Sequence, residues 1–157
     1  MFKILKNTFL VVILGIFISA CSTTAKKSKS ASAGDVYTGT DTVKYLATGV
    51  ADRVFFATNS TGLTSAAKAT LTKQAGYIKA SKISVVIEGH ADERGTREYN
   101  LALGERRANA ARDYLMTKGV AKSSIKVINY GKERPANTDS SKLAWSQNRR
   151  SVTVKAN

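Results

Sequence analysis

Apolar positions fall along this chain with two different periods, and the alternation between them defines the elements. Thr8 to Ile18 is an unbroken apolar run, and Ser22 to Gly34 is small, polar and basic with no apolar period. From Arg53 the pattern becomes regular. Arg53-Val54-Phe55-Phe56 and Ile83-Ser84-Val85-Val86-Ile87 read as strands, as do Ile125 to Tyr130 and Arg150 to Val154. Leu63, Ala67, Leu71 and Ile78 recur at helical spacing, with Thr64 or Ser65 as a ready N-cap. A second helix is expected from near Thr96 to Lys118, stopped by Gly119, and a short third one over Lys142–Asn148. The order β-α-β-α-β-α-β specifies an α/β chain, a sheet with helices packed on it and at least one parallel strand pair. Asp35 to Thr48 fits either a short strand or a segment packed on the domain.

The N-terminus changes what kind of protein this is. Lys3 and Lys6 precede the apolar run, and Ile18-Ser19-Ala20-Cys21 follows it. A charged n-region, a short h-region and small residues before the break outline a secretory signal. At about 11 residues the run falls short of the roughly 20 a spanning helix needs. Cys21 is the only cysteine of the 157 residues, so no intramolecular disulfide can form. The expected organisation is a signal peptide over 1–20, Cys21 with a flexible linker to residue 46, and one domain over 47–157.

Charge narrows the partners. The formal net charge is +14, and loss of residues 1–20 removes two lysines and no acid, leaving +12. The surplus therefore belongs to the exported part and calls for an anionic partner. Nucleic acid is not expected, because the chain is exported and its Lys and Arg residues are scattered among acids, as in Glu93-Arg94 and Glu105-Arg106. Catalysis is not expected either. His90 is the only histidine, and Glu88, His90 and Asp92 have neither a second His nor a Cys ligand beside them. Neither a metal nor a cofactor is called for. His90 is expected to hydrogen-bond within its turn, and Trp145 to pack in the core.

The candidate chemistry lies in Glu88 to Ala108, EGHADERGTREYNLALGERRA. Gly89 and Gly95 bracket a turn at a strand end, where ligands of α/β sheets gather. Asp92 sits in that turn. Asn100, Leu103, Gly104, Arg107, Ala111 and Tyr114 form one helical stripe that places Arg107 at the edge of the buried face. Gly104, one turn before Arg107, leaves room for another backbone or a ligand. Two readings stay open on these residues: a structural Asp92–Arg107 salt bridge, or a clamp in which Asp92 takes an ammonium and Arg107 a carboxylate.

This run closely resembles the OmpA-like domain of the peptidoglycan-associated lipoprotein (Pal) family. Asp92, Gly95, Asn100, Leu103, Arg107 and Ala108 fall at the family spacing, and Tyr130 to Pro135 and Asn148-Arg149-Arg150 match its later segments. The resemblance extends from about Asp52 to the C-terminus. It implies a four-stranded mixed sheet with helices packed on it, and binding of the diaminopimelate side chain of peptidoglycan by Asp92 and Arg107, with Asn100 and Arg149 as further polar contacts. The segment around Cys21 resembles a bacterial lipobox. That implies a diacylglycerol and an N-acyl lipid on Cys21 and, since Ser22 follows it, the periplasmic face of the outer membrane. Membership would bring TolB and the Tol-Pal system as partners and a role in envelope integrity and cell division. The alternative is a periplasmic interaction domain acting mainly through TolB with little wall binding. One departure stands out: family members often carry an acid where this chain has Ala57.

Overall fold

The structure, a computed structural model, describes residues 35–157; the signal segment and Cys21 lie outside the described residues. A two-stranded hairpin, β1 (Tyr45–Ala47) and β2 (Val50–Ala51), precedes β3 (Arg53–Phe55). Then come α1 (Ser65–Ser81), β4 (Val85–His90), α2 (Arg97–Thr117), a 3₁₀ turn at Lys122–Ser124, β5 (Ile125–Gly131), α3 (Lys142–Asn148) and β6 (Arg150–Lys155). The main sheet has four strands in the order β3-β6-β4-β5. β4 and β5 run parallel, while β6 is antiparallel to both β3 and β4. This is the mixed sheet that the resemblance implied.

Both long helices begin where the sequence provides caps. Thr64 accepts from the Ala67 amide at 3.1 Å and Thr96 from the Tyr99 amide at 3.2 Å, each satisfying a donor the first turn leaves free. Val85 and Ile87 of β4, Leu71 and Ile78 of α1, and Ala108, Ala111 and Leu115 of α2 meet in one apolar core with Phe56. β4 extends further than its β-branched run, through His90, because β5 and β6 flank it and satisfy its backbone. The extra length delivers its C-terminal end directly into the Asp92 turn.

The packed domain also begins earlier than residue 47. Leu46 is buried in the core, Tyr37 packs edge-on against Phe55 with ring centroids 4.8 Å apart, and Gln147 donates to Asp41 at 2.6 Å. Residues 35–46 therefore belong to the domain and not to the linker. Their apolar positions carry no clear period, since they pack singly against separate elements. Only thirteen residues separate Cys21 from Asp35, which bounds the reach of the intervening chain at about 50 Å.

Gly104 makes room for a backbone and not for a ligand. It crosses Gly89 of β4 so closely that a Cβ on Gly89 would lie 2.0 Å from the Gly104 carbonyl oxygen. This crossing fixes the height of α2 on the sheet, and with it the position of Arg107 one turn on. Gly89→Ala is expected to force strand and helix apart, with a cost at or above the upper end of the about 1–3 kcal/mol usual for overpacking. A urea unfolding curve would register it as a lower midpoint.

Charge is segregated along the domain. Lys79, Lys82, Lys118, Lys122, Lys126 and Lys155 lie at the end away from the Asp92 turn. There Lys79 Nζ donates to the Lys118 carbonyl at 2.8 Å and Val85 pairs with Lys155 and Ile125. Residues 73–86, 114–127 and 154–157, which build this end, include no Asp or Glu.

Candidate binding site at the end of β4

A cavity of about 270 Å³ opens beyond the C-terminal end of β4, between the Asp92 turn, the start of α2 and the segment after β3. Asp92, Asn100 and Arg107 line it together with Thr58, Arg94 and Tyr99. Two cavities of about 490 Å³ lie elsewhere, one against the N-terminal segment and α1, one around Asp52, Glu88 and Arg150; neither is lined by any of the four predicted site residues.

Asp92 is buried, at 7% exposure, and acts as an acceptor for two arginines. Its Oδ1 accepts from the Arg94 amide and Nε, both at 3.1 Å. Its Oδ2 accepts from Arg94 Nη2 at 2.7 Å and from Arg149 Nη1 at 3.4 Å. Burial alone would raise the carboxyl pKa, but the hydrogen bonds and charge of Arg94, with Arg149, outweigh it and hold the group below its ordinary 3.8. Asp92 is therefore ionised at neutral pH. Its contribution to stability is complete above pH 3.8 and is lost as the pH falls through its lower folded value. Asn100 secures the turn, its Nδ2 donating to the Arg94 carbonyl at 2.8 Å.

Arg107 differs from its expected place at the edge of the helix face: it is wholly buried. Its Nε donates to the Ser60 carbonyl at 3.0 Å, Nη1 to His90 at 2.9 Å and Nη2 to Ala57 at 3.2 Å. One guanidinium thus ties together the loop after β3 and the end of β4. Those bonds use three of its five N–H groups, and the other two make no hydrogen bond among the described residues. Burial foremost, then the charge of Arg149, pushes its pKa down to about 10, so it stays cationic at neutral pH. The direct Asp92–Arg107 salt bridge is not formed; Asp92 pairs with Arg94 and Arg149.

Arg149 stands behind the cavity, 2% exposed. Besides Asp92, it donates from Nε to the Phe56 carbonyl at 3.0 Å and from Nη2 to the Asp35 carbonyl at 2.6 Å and Asp35 Oδ1 at 3.1 Å. Asp35 Oδ2 accepts from the Thr58 amide at 2.7 Å. The Ala57 side chain is buried and offers no hydrogen bond, while its carbonyl serves Arg107. An acid arrives instead from Asp35, beside the next residue.

Sequence reasoning missed Arg94 and Asp35. Arg94 had a readable signal, an Asp two residues ahead of a basic residue in a glycine-flanked turn, where the carboxylate bonds the backbone two residues on. Asp35 had none, since it meets Arg149 across 114 positions. Two expectations need correcting. Trp145 is not a core residue: its Nε1 donates to Glu93 at 2.8 Å and its ring carries the Arg94 guanidinium at 4.3 Å. The indole thus serves as a platform for the side chain covering Asp92.

His90 does not hydrogen-bond through its side chain within the turn. Among the described residues neither ring nitrogen has a hydrogen-bond partner, and the ring stacks on Tyr130 at 5.4 Å. Burial, then the charges of Arg150, Arg53 and Arg134, lowers its pKa from 6.5 to about 3. A histidine kept neutral on folding binds fewer protons than in the unfolded chain, so stability falls as the pH drops below 6.5 and the loss is complete near pH 3. His90→Phe is expected to flatten the unfolding midpoint between pH 6 and pH 4 relative to wild type, measured by urea titration at each pH. Among the described residues no cluster of three or more His, Cys, Asp or Glu side chains is placed to hold a metal ion.

The comparisons with known proteins agree with this fold. The OmpA family matches residues 55–149, which contain all four predicted site residues. The chain is 56% identical over 106 residues to the peptidoglycan-associated lipoprotein of Mesorhizobium japonicum, covering 67% of this chain and 63% of that protein. It is 41% identical over 151 residues to the protein of the same name from Brucella abortus, covering 92% and 89%. Against the first relatives, from Mesorhizobium japonicum and Rhizobium meliloti, the match thus spans 63% and 60% of their lengths. The crystal structure of the peptidoglycan-associated lipoprotein from Burkholderia pseudomallei superposes with a TM-score of 0.65 at 37% identity, over 67% of this chain and 90% of that one. The cell wall anchor of the T6SS from Pseudomonas aeruginosa superposes with a TM-score of 0.56 at 27% identity, over 67% and 80%. The chain belongs to the OmpA family and, within it, to the peptidoglycan-associated lipoproteins.

Proposed function

We propose that this chain is an outer-membrane lipoprotein, anchored on the periplasmic face through acyl chains on Cys21. Its domain grips the diaminopimelate side chain of a peptidoglycan stem peptide without a covalent bond. The single observation that carries this reading is a small cavity lined by a buried, ionised Asp92 and by a buried, cationic Arg107 with two N–H groups to spare. Its about 270 Å³ lies below the roughly 300 Å³ at which drug-sized pockets begin and suits one amino-acid centre.

Diaminopimelate ends in a carbon bearing both an ammonium and a carboxylate. The ammonium goes to Asp92, and Arg94, whose side chain is 41% exposed, is the partner that yields to it. The carboxylate takes the spare donors of Arg107. Arg149 keeps Asp92 oriented from behind, and Asn100 keeps the turn closed by holding the Arg94 carbonyl. A lipid anchor raises the local concentration of such a modest site at the wall. Family membership extends the proposal to TolB as protein partner, within the Tol-Pal system that serves envelope integrity and division. Sacculi that contain diaminopimelate should retain the chain, and free meso-diaminopimelate should elute it. Retention unaffected by an excess of the free amino acid would contradict the reading.

A further inference from the structure

Asp35 lies beside the cavity and meets the site through both its side chain and its carbonyl. Its carboxylate bridges two site components: Oδ2 accepts the amide of Thr58, which lines the cavity, and Oδ1 accepts from Arg149 Nη2. Arg149 is thereby shared between two carboxylates. Asp35 holds Nη2 through its carbonyl at 2.6 Å and its Oδ1 at 3.1 Å, whereas Asp92 receives only a long 3.4 Å contact from Nη1.

This division of Arg149 sets how much of the Asp92 charge is free for a ligand. We infer that Asp35 is a positioning residue of the binding site: while it holds Arg149 and Thr58, Asp92 is open to a cationic ligand, and without that hold the site weakens. Two effects act in the same direction. Without Asp35, the Arg149 guanidinium has lost a competing anion and closes on Asp92, where it occupies the lone pairs an ammonium needs. The Thr58 amide also loses its acceptor, and the cavity wall it belongs to loosens. Linkage makes the effect reciprocal: a ligand on Asp92 must tighten the hold on Asp35 by the same factor that Asp35 tightens the ligand.

The inference rests on the proposed reading of Asp92 as ammonium acceptor, and the test separates the two. A diaminopimelate muropeptide is titrated into the full chain as wild type, Asp35→Ala and Asp35→Glu, with hydrogen exchange of the Thr58 amide followed in each. The expected result is an affinity about five- to tenfold lower for Asp35→Ala, at the low end of allosteric couplings, with faster Thr58 exchange and substantial recovery of both in Asp35→Glu. Muropeptide binding should also slow Thr58 exchange in wild type but not in Asp35→Ala. Wild-type affinity in Asp35→Ala, or Thr58 exchange indifferent to the substitution, overturns the positioning role while leaving the site reading intact. Failure of the wild type itself to bind overturns the site reading, and the positioning role with it.

Discussion

Arg107→Ala should unfold the domain more readily as well as empty the site. The substitution leaves the buried carbonyls of Ala57 and His90, and the part-buried one of Ser60, without their donor. Each buried acceptor left unpaired costs about 1–3 kcal/mol. Against a domain stability of about 5–15 kcal/mol, that is a large share. Urea unfolding followed by circular dichroism should show a clearly lower midpoint; an unchanged midpoint would refute the structural role. Arg107→Lys should recover only part of the loss, because one ammonium cannot serve three carbonyls set around a planar fork. Loss of wall binding in Arg107→Ala therefore says little about ligand contact, since a loosened site loses its ligand too.

Asp92→Asn separates binding from folding. The amide keeps the shape of the carboxylate and an oxygen for the Arg94 amide, while Arg149 keeps Phe56 and Asp35 as partners. The fold should survive with a moderately lower midpoint, because the bonds from Arg94 and Arg149 lose their charge. Affinity for a diaminopimelate muropeptide should fall by about 2–3 kcal/mol, the low end for truncating one side of a buried charge pair, or roughly thirty- to a hundred-and-fiftyfold. Titration calorimetry on both proteins measures it. Retained affinity in Asp92→Asn would remove the aspartate from the site.

The periodic part of this fold was legible. α1 and α2 announce themselves by apolar spacing and by Thr64 and Thr96 as caps, and β4, β5 and β6 by β-branched runs. The β1–β2 hairpin was not, because strands of three and two residues are too short to show alternation. The candidate site was legible in part: Asp92, Asn100 and Arg107 line one cavity, but Arg94 and Asp35 went unread and depth did not show. A helical stripe places Arg107 on a face; how far that face sinks depends on the Gly89–Gly104 crossing, which brings α2 down onto the sheet. Long-range partners were hidden for a related reason. Arg149 and Asp35, or Arg107 and the carbonyls after β3, meet only once the sheet exists.

The most direct test of the account is a titration of the wild-type chain with two muropeptides that differ only in the third residue of the stem, one carrying diaminopimelate and the other lysine. Both offer Asp92 an ammonium; only diaminopimelate offers Arg107 a carboxylate. The lost charge-assisted hydrogen bonds are worth about 1.5–3 kcal/mol, so the diaminopimelate form should bind roughly ten- to more than a hundredfold more tightly. Equal affinity for the two would contradict the claim that Asp92 and Arg107 together read a zwitterionic centre.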